Sequence, residues 1–433
     1  MDLFSIISVL VVLAAVFGYL NARFLRLPNA IGLMLITIAV TLLIGASGMF
    51  YPPLLATARS YVAEIDFEYV LLDVMLGFLL FAGALHTNFD ELRTYRWPIM
   101  IFATLGVTLS MVIVAALMYL VFMQLGIDVP FLHCLLFGAL ISPTDPIAVM
   151  GILRKANVAK SLELKIVGES LFNDGVGVVL FLTLLNLVGV GAVDPAVGDL
   201  PDHAVHVNSW TSTLQLLGQE VLGGLLLGLV IGYVTFRMMK AIDDYEIEVI
   251  LTLACVMGGY TLGHYLHVSA PLAMVVAGLF VGNDLVRGSA MSEMTERYVD
   301  KFWELTDMLF NMLLFVLVGM EILIITFKTE YFIATGFAIA IALLARFSSL
   351  YIPIGYYKKR LDFAPYTTTI MTWGGLRGGI SIALALSLPT TVHRELFLTI
   401  TYGVVVFSIT VQGLTIGPLA QRLLPHGQSL PKH

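Results

Sequence analysis

Two short stretches of this sequence hold residues able to do chemistry inside runs that are otherwise apolar. Gly168-Glu169-Ser170-Leu171-Phe172-Asn173-Asp174 carries two carboxylates, a hydroxyl and an amide within six positions. Ser142-Pro143-Thr144-Asp145-Pro146 adds a third carboxylate and two hydroxyls, and its prolines remove backbone donors and prevent a continuous helix. Carboxylate, hydroxyl and carbonyls freed by a helix break are the oxygen donors a hard cation wants, and a carboxylate also takes up a proton. At about 100° per residue, Ser170 and Asp174 share one helix face and Glu169 shares another with Asn173. Glu169 and Asp174 point roughly 140° apart, so they need different partners. One can face a cavity while the other is neutralised within the protein. A third stretch, Gly374-Gly375-Leu376-Arg377-Gly378-Gly379, sets an arginine among glycines poorly suited to helix.

The elements that must hold these residues are membrane spans. Hydrophobic residues make up 59% of the 433-residue chain and Asp, Glu, Lys and Arg only 12%, with a mean hydropathy of +0.93. Such a chain cannot cover a soluble surface, so the lipid bilayer is its solvent. The net charge is −7 without any basic block, which excludes nucleic acid as a partner. Cys134 and Cys255 fall in apolar runs, form no metal or disulfide spacing, and read as inert buried thiols. No positive region precedes the apolar stretch from Leu3 to Leu20, which is expected to be a span, not a cleaved signal.

Apolar runs predict an all-α polytopic membrane protein of thirteen transmembrane helices. They lie near 3–22, 29–48, 67–86, 97–123, 131–152, 163–188, 212–236, 246–265, 270–283, 302–325, 331–355, 365–388 and 396–423. The longest connector, about 189–211, is acidic and too short for a soluble domain, so residues 1–433 are expected to form one transport domain without a regulatory domain. This arrangement puts 18 of the 23 Lys and Arg on one side and three (Arg59, Lys328, Arg394) on the other, with Arg346 and Arg377 inside spans. The asymmetry predicts an N-terminus outside and a C-terminus in the cytoplasm.

An ionisable side chain within hydrocarbon costs several kcal/mol, so each is a functional hypothesis by default. Helix breaks at mid-membrane survive only where protein or a watery cavity satisfies the freed backbone groups. Spans five and twelve are both interrupted and cross the membrane in opposite directions. That points to two inverted six-helix repeats, about 1–188 and about 246–424, joined by a linker helix at about 212–236. Asp73, Glu220, Asp307 and Glu321 read as structural residues at helix ends or interfaces. His86 and Asn88 end span three on the cytoplasmic side, and His264 and His267 sit near the outer surface.

These motifs, with weaker support from Pro271 to Asn283, Phe302-Trp303-Glu304 through Asn311 to Gly319, and Ala345-Arg346, resemble the bacterial NhaP-type sodium/proton antiporters, relatives of the animal sodium/proton exchangers. The resemblance covers nearly the whole chain. It implies a homodimer in a bacterial inner membrane, with a dimerisation region and a mobile six-helix core in which broken helices 5 and 12 cross beside Asp174. It also implies that Asp174 binds the ion and the proton, with Asn173, Ser170, Thr144 and Asp145 around it. Asp174, Ser170 and Thr144 are the expected Na⁺ ligands. Glu169 is expected to pair with Arg346 as a structural ion pair, since an unpaired Arg is hard to keep in a span. Arg377 is expected at the break of span twelve, offsetting the negative end of a half-helix or meeting Asp145. One departure is Phe81-Ala82-Gly83, where some relatives carry Phe-Glu-Gly and so an extra acidic ligand.

The expected activity is secondary active exchange of Na⁺, with Li⁺ as a further cargo candidate, for H⁺ by alternating access. Proton and cation compete for one carboxylate; either occupant neutralises it, and the bare charged core is costly to move through low dielectric. With Asn173 in place of a second aspartate beside Asp174, exchange is expected to be electroneutral and 1:1. The chain is not expected to be an enzyme, and no cofactor is expected beyond transported Na⁺ and H⁺. K⁺/H⁺ exchange on the same scaffold is the nearest alternative. An intramembrane aspartyl hydrolase would need Asp145 and Asp174 to converge on one water, and a channel would need a carbonyl filter or charged ring that the sequence does not show.

Overall fold

We describe a computed structural model covering residues 3–48, 50–63, 67, 69–87, 94–145, 149, 153, 160–188, 210–283, 287–288, 291–323, 328–357 and 366–423. All regular elements among these residues are helical. In chain order they are α1 (Leu3–Leu20), α2 (Asn29–Ser47), α3 (Pro52–Ala63), α4 (Leu76–Leu85), α5 (Arg96–Gln124), α6 (Phe131–Ile141), α7 (Lys160–Leu187) and α8 (Trp210–Met239). There follow α9 (Tyr245–Tyr265), α10 (Ala270–Val281), α11 (Glu293–Met320), α12 (Thr329–Tyr357), α13 (Thr367–Gly374), α14 (Gly379–Leu386) and α15 (Arg394–Leu423).

Nine of the described helices are long and apolar enough to cross a membrane, and the shorter apolar helices include α6 and α10. The expected runs each contain helix, but three details differ from the sequence reading. The connector after α2 holds the helix α3, because Pro52 and Pro53 are compatible with a first helical turn and Leu54 to Ala63 continue it. Helix α11 begins at Glu293, about nine residues before the predicted span. Ser292 caps it by accepting from the Thr295 amide at 3.3 Å, and the added turns are amphipathic and invisible to a hydropathy window. Lys165, one of the 18 cations assigned to the cytoplasmic side, is buried in α7 with its ammonium over the Tyr95 ring at 4.8 Å. Arg93, Arg154, Lys155, Asn88, residues 189–209 and most of the run after Asp145 lie outside the described residues, as does the side chain of Asp73.

Packing divides the helices into two groups. Helix α10 packs on α4, α8 and α9, and α11 on α2 and α4; separately, α5 packs on α6 and α12, α12 on α15, and α14 on α6 and α15. Helix α7 belongs to the second group through α6 and touches α4, α8 and α10 across the seam, where α11 also meets α14. Aromatic contacts fasten α4 to α11: the rings of Phe81 and Trp303 lie 4.7 Å apart and those of Phe78 and Phe310 5.0 Å apart.

Two helices of the second group are interrupted at the same place. Helix α6 stops at Ile141, where Ser142-Pro143 ends the hydrogen-bond ladder. Helix α13 stops at Gly374, and α14 starts only at Gly379. The two extended pieces meet in an antiparallel bridge between Asp145 and Leu376, with the Asp145 amide donating to the Leu376 carbonyl at 2.8 Å. Gly378 permits this approach. A Cβ there would lie 2.5 Å from an Asp145 carboxyl oxygen and 2.7 Å from its Cβ, so any side chain would push the strands apart.

Candidate functional site

Behind this crossing, a closed hydrogen-bond network ties α7 to the α6 break. The Asn173 amide nitrogen donates to Thr144 Oγ1 at 2.8 Å, and its Oδ1 accepts from the Thr144 amide at 3.3 Å. Thr144 Oγ1 lies 3.1 Å from Ser170 Oγ. All three side chains are buried. Asn173 thereby replaces a backbone partner that Thr144 lost when Pro143 broke the helix.

One turn before Asn173 on α7, Glu169 forms a two-pronged ion pair with Arg346 of α12. Arg346 Nη2 donates to Glu169 Oε2 at 2.8 Å, and Nη1 donates to Oε1. Both side chains are almost wholly buried, at 0% and 4% exposure. The fork-to-fork geometry satisfies both carboxylate oxygens and suits Arg and not Lys.

Arg377 caps two half-helices at once. Its Nε donates to the Ile141 carbonyl at the end of α6 at 2.7 Å, and Nη1 donates to the Gly375 carbonyl just past α13. Both carbonyls belong to the negative ends of interrupted helices, where a cation is favourable. Its own backbone amide is held by Ser408 Oγ of α15 at 2.9 Å. Of the two roles open to Arg377 from sequence, the structure displays the half-helix one.

In front of the crossing lies a cavity of about 700 Å³, at the seam between the two helix groups. Its walls are one stripe each of α4, α7 and α11, and its floor is formed by Pro143, Asp145, Gly378 and Ser381. Along α11 the lining residues are Asp300, Glu304, Asp307, Asn311 and Leu314, spaced four and three apart on one face. Exposure falls along that stripe, from a Glu304 side chain 66% exposed to a buried Asn311. The cavity is therefore a funnel, open at Lys160, Glu163 and Glu304 and closed at its polar floor.

Asp174 lines this funnel at its deep end and is only 7% exposed. Among the described residues its carboxylate makes no hydrogen bond and no ion pair. The charge of Asp145, on the floor of the same cavity, acts on it unfavourably. The sequence reading grouped Asp174, Asp145, Asn173, Ser170 and Thr144 around one ion. The structure separates them: Asp174 and Asp145 face the funnel, whereas Thr144, Ser170 and Asn173 bond to one another and are absent from its described lining.

Asp307, which reads from sequence as a structural residue, lines the funnel wall opposite α7. A signal was present, because Asp300, Glu304, Asp307 and Asn311 fall on one helical face, but a hydropathy window centred on the span discards it. Ala82 and His86 also line the funnel, with His86 Nδ1 2.8 Å from the Ala82 carbonyl. Glu220 and Glu321 do not line it.

Comparison with known proteins supplies the family. The family model described as sodium/hydrogen exchanger, transmembrane, matches residues 11–422. The chain belongs to the sodium/hydrogen exchanger family. Among exchanger relatives, it is 45% identical over 434 residues to the Na⁺/H⁺ antiporter NhaP of Pseudomonas aeruginosa, covering 99% of this chain and 98% of that protein. It is 33% identical to the Na⁺/H⁺ antiporter NhaH of Halobacillus aidingensis, over 93% of each. The fold is similar to that of the sodium proton antiporter MjNhaP1 from Methanocaldococcus jannaschii, with a TM-score of 0.72 at 19% identity, over 98% of this chain and 100% of that one. The exchanger family is one of transporters, which sets the hydrolase reading aside.

Proposed function

We propose that this chain is a secondary active antiporter that exchanges Na⁺ for H⁺ at Asp174. The observation that carries the reading is the state of that side chain: a buried carboxylate, aimed into a funnel and left without a hydrogen-bond or ion-pair partner by the described residues. A bare carboxylate in low dielectric is costly, so the site needs an occupant. A proton and a monovalent cation each neutralise it, and they exclude each other. Glu169, by contrast, already has both oxygens satisfied by Arg346, so it holds the core together and carries nothing.

Exchange follows from that exclusion. The moving helix group crosses the barrier with Asp174 either protonated or bound to Na⁺, and the empty charged form is held back. One site charge alternating between one proton and one Na⁺ makes the cycle electroneutral and 1:1, since Asn173 contributes no second charge. The remaining Na⁺ oxygens come from the crossing, from Asp145 at the funnel floor and from Thr144 and Ser170 when their mutual hydrogen bond opens. The names of the relatives favour Na⁺ over K⁺ as cargo, and Li⁺ enters the same trial as a smaller hard cation.

The same reading includes thirteen spans in two inverted repeats, supported by interrupted helices meeting at one point in the two halves. It includes an N-terminus outside and a C-terminus in the cytoplasm of a bacterial inner membrane, which makes the funnel inward-facing. A homodimer is the assembly proposed, with the α2, α4, α8–α11 group as its fixed part and the α5–α7, α12–α15 group as its moving part.

Reconstituted protein with an imposed pH gradient tests the proposal. Added Na⁺ should collapse the gradient at a rate insensitive to membrane voltage, and Asp174→Asn should abolish the response. A variant that still exchanges at the normal rate would overturn the assignment of Asp174, and voltage-dependent flux would overturn the stoichiometry.

A further inference from the structure

We propose that Asp307 is a second cation-handling carboxylate, a positioning residue that takes Na⁺ from the funnel mouth and passes it to Asp174. The proposal rests on the reading of Asp174 as the exchange site and adds a station on the route to it. Three acids line the α11 stripe, but they are not equivalent. Asp300 pairs with Arg287 at 2.9 Å, and Arg287 also donates to the Leu85 carbonyl at 3.0 Å, fixing it at the α4 end. Glu304 pairs with Lys301 at 2.9 Å. Asp307 forms no ion pair among the described residues, although it lies deeper.

Its surroundings fit a transient cation. The charged groups acting on it are His86 of α4 and Asp145 of the crossing, and across the funnel α7 presents Asp174, with Glu163 and Lys160 only at the mouth. Asn311, one turn further in, donates its Nδ2 to the Asp307 carbonyl at 2.8 Å, which turns its amide oxygen into a further available acceptor on the way to Asp174. Hydroxyl or amide oxygens alone would give a desolvating Na⁺ little reason to leave water. A carboxylate halfway, in a cleft with low-dielectric walls, focuses cations toward the floor. The apolar lining contributed by Leu76, Leu79 and Leu171 offers no competing donors.

A station of this kind acts on capture and not on the exchange step, and only from the face where the funnel opens. In reconstituted vesicles, Asp307→Asn should raise the KM for Na⁺ about tenfold on the funnel side, the lower end expected for loss of electrostatic focusing. The maximal rate and the KM measured from the opposite face should stay within twofold of the original. Asp307→Glu should restore most of the affinity. Asp307→Ser provides an independent removal of the charge with the same expected shift. An unchanged funnel-side KM in both neutral variants, or an equal rise on both faces, would overturn the proposal, the latter marking a merely structural role. The outcome is separable from the Asp174 reading, because Asp174→Asn removes exchange altogether, whereas loss of Asp307 leaves the maximal rate.

Discussion

Removing one partner of the Glu169–Arg346 pair should unfold the transport core more readily than any other single polar change. Both oxygens of Glu169 are used, one contact measuring 2.8 Å, and the side chains are 0% and 4% exposed. Neither partner can retreat to water if the other is lost. Breaking such a pair costs about 3–5 kcal/mol, because a buried charge is left uncompensated. A scaling of about 2 °C per kcal/mol, the lower end of the range for domains of about 150–250 residues, turns that into a fall in Tm of roughly 6–10 °C for Arg346→Ala or Glu169→Gln. Arg346→Met combined with Glu169→Met should recover much of the loss, since an apolar pair of similar size removes both charges together. Thermal unfolding of the purified protein in one detergent, followed by tryptophan fluorescence, reads all four proteins on one scale. Single variants melting within about 2 °C of the parent, or a double variant at least as damaged as the sum of the singles, would refute the argument that the pair is a mutual neutralisation.

Gly378→Ala should nearly abolish exchange, because the new Cβ would sit 2.5 Å from the Asp145 carboxyl and force open the bridge to Leu376; initial rates of Na⁺-dependent proton flux check it. Arg377→Ala should lower stability by about 2–4 kcal/mol, leaving the buried carbonyls of Ile141 and Gly375 without that donor, measured by the same melting assay. Below the pKa of the site carboxyl, the apparent KM for Na⁺ should rise about tenfold per pH unit at an unchanged maximal rate, the signature of simple competition; a KM independent of pH would contradict a shared site.

Much of this was legible from residue types and spacing. An 18-residue apolar run announces a span whatever packs on it, and carboxylates inside such a run stand out because water cannot pay their desolvation. The interruptions were equally readable: Pro143 and Gly374 to Gly379 cannot propagate a helix, and Arg377 among freed carbonyls had a place to go. What could not be read was which side of each helix faces what. Asn173 and Asp174 are neighbours in sequence, yet one closes a network with Thr144 and the other faces a funnel. That distinction depends on the rotation of α7 against α4 and α11, set by contacts such as Phe81 on Trp303 far away in sequence. The place of Asp307 on the funnel wall was hidden for the same reason: the stripe of Asp300, Glu304, Asp307 and Asn311 is visible in the sequence, but the seam between two helix groups that it faces is not.

The central claim is that one carboxylate accepts either a proton or Na⁺, and proton counting tests it most directly. Na⁺ added at saturating concentration to the purified protein in weakly buffered solution, at least one pH unit below the pKa of the site carboxyl, should release close to one proton for each Na⁺ bound. Asp174→Asn should release none. Na⁺ binding without acidification in the parent protein, or equal acidification in the variant, would contradict the account.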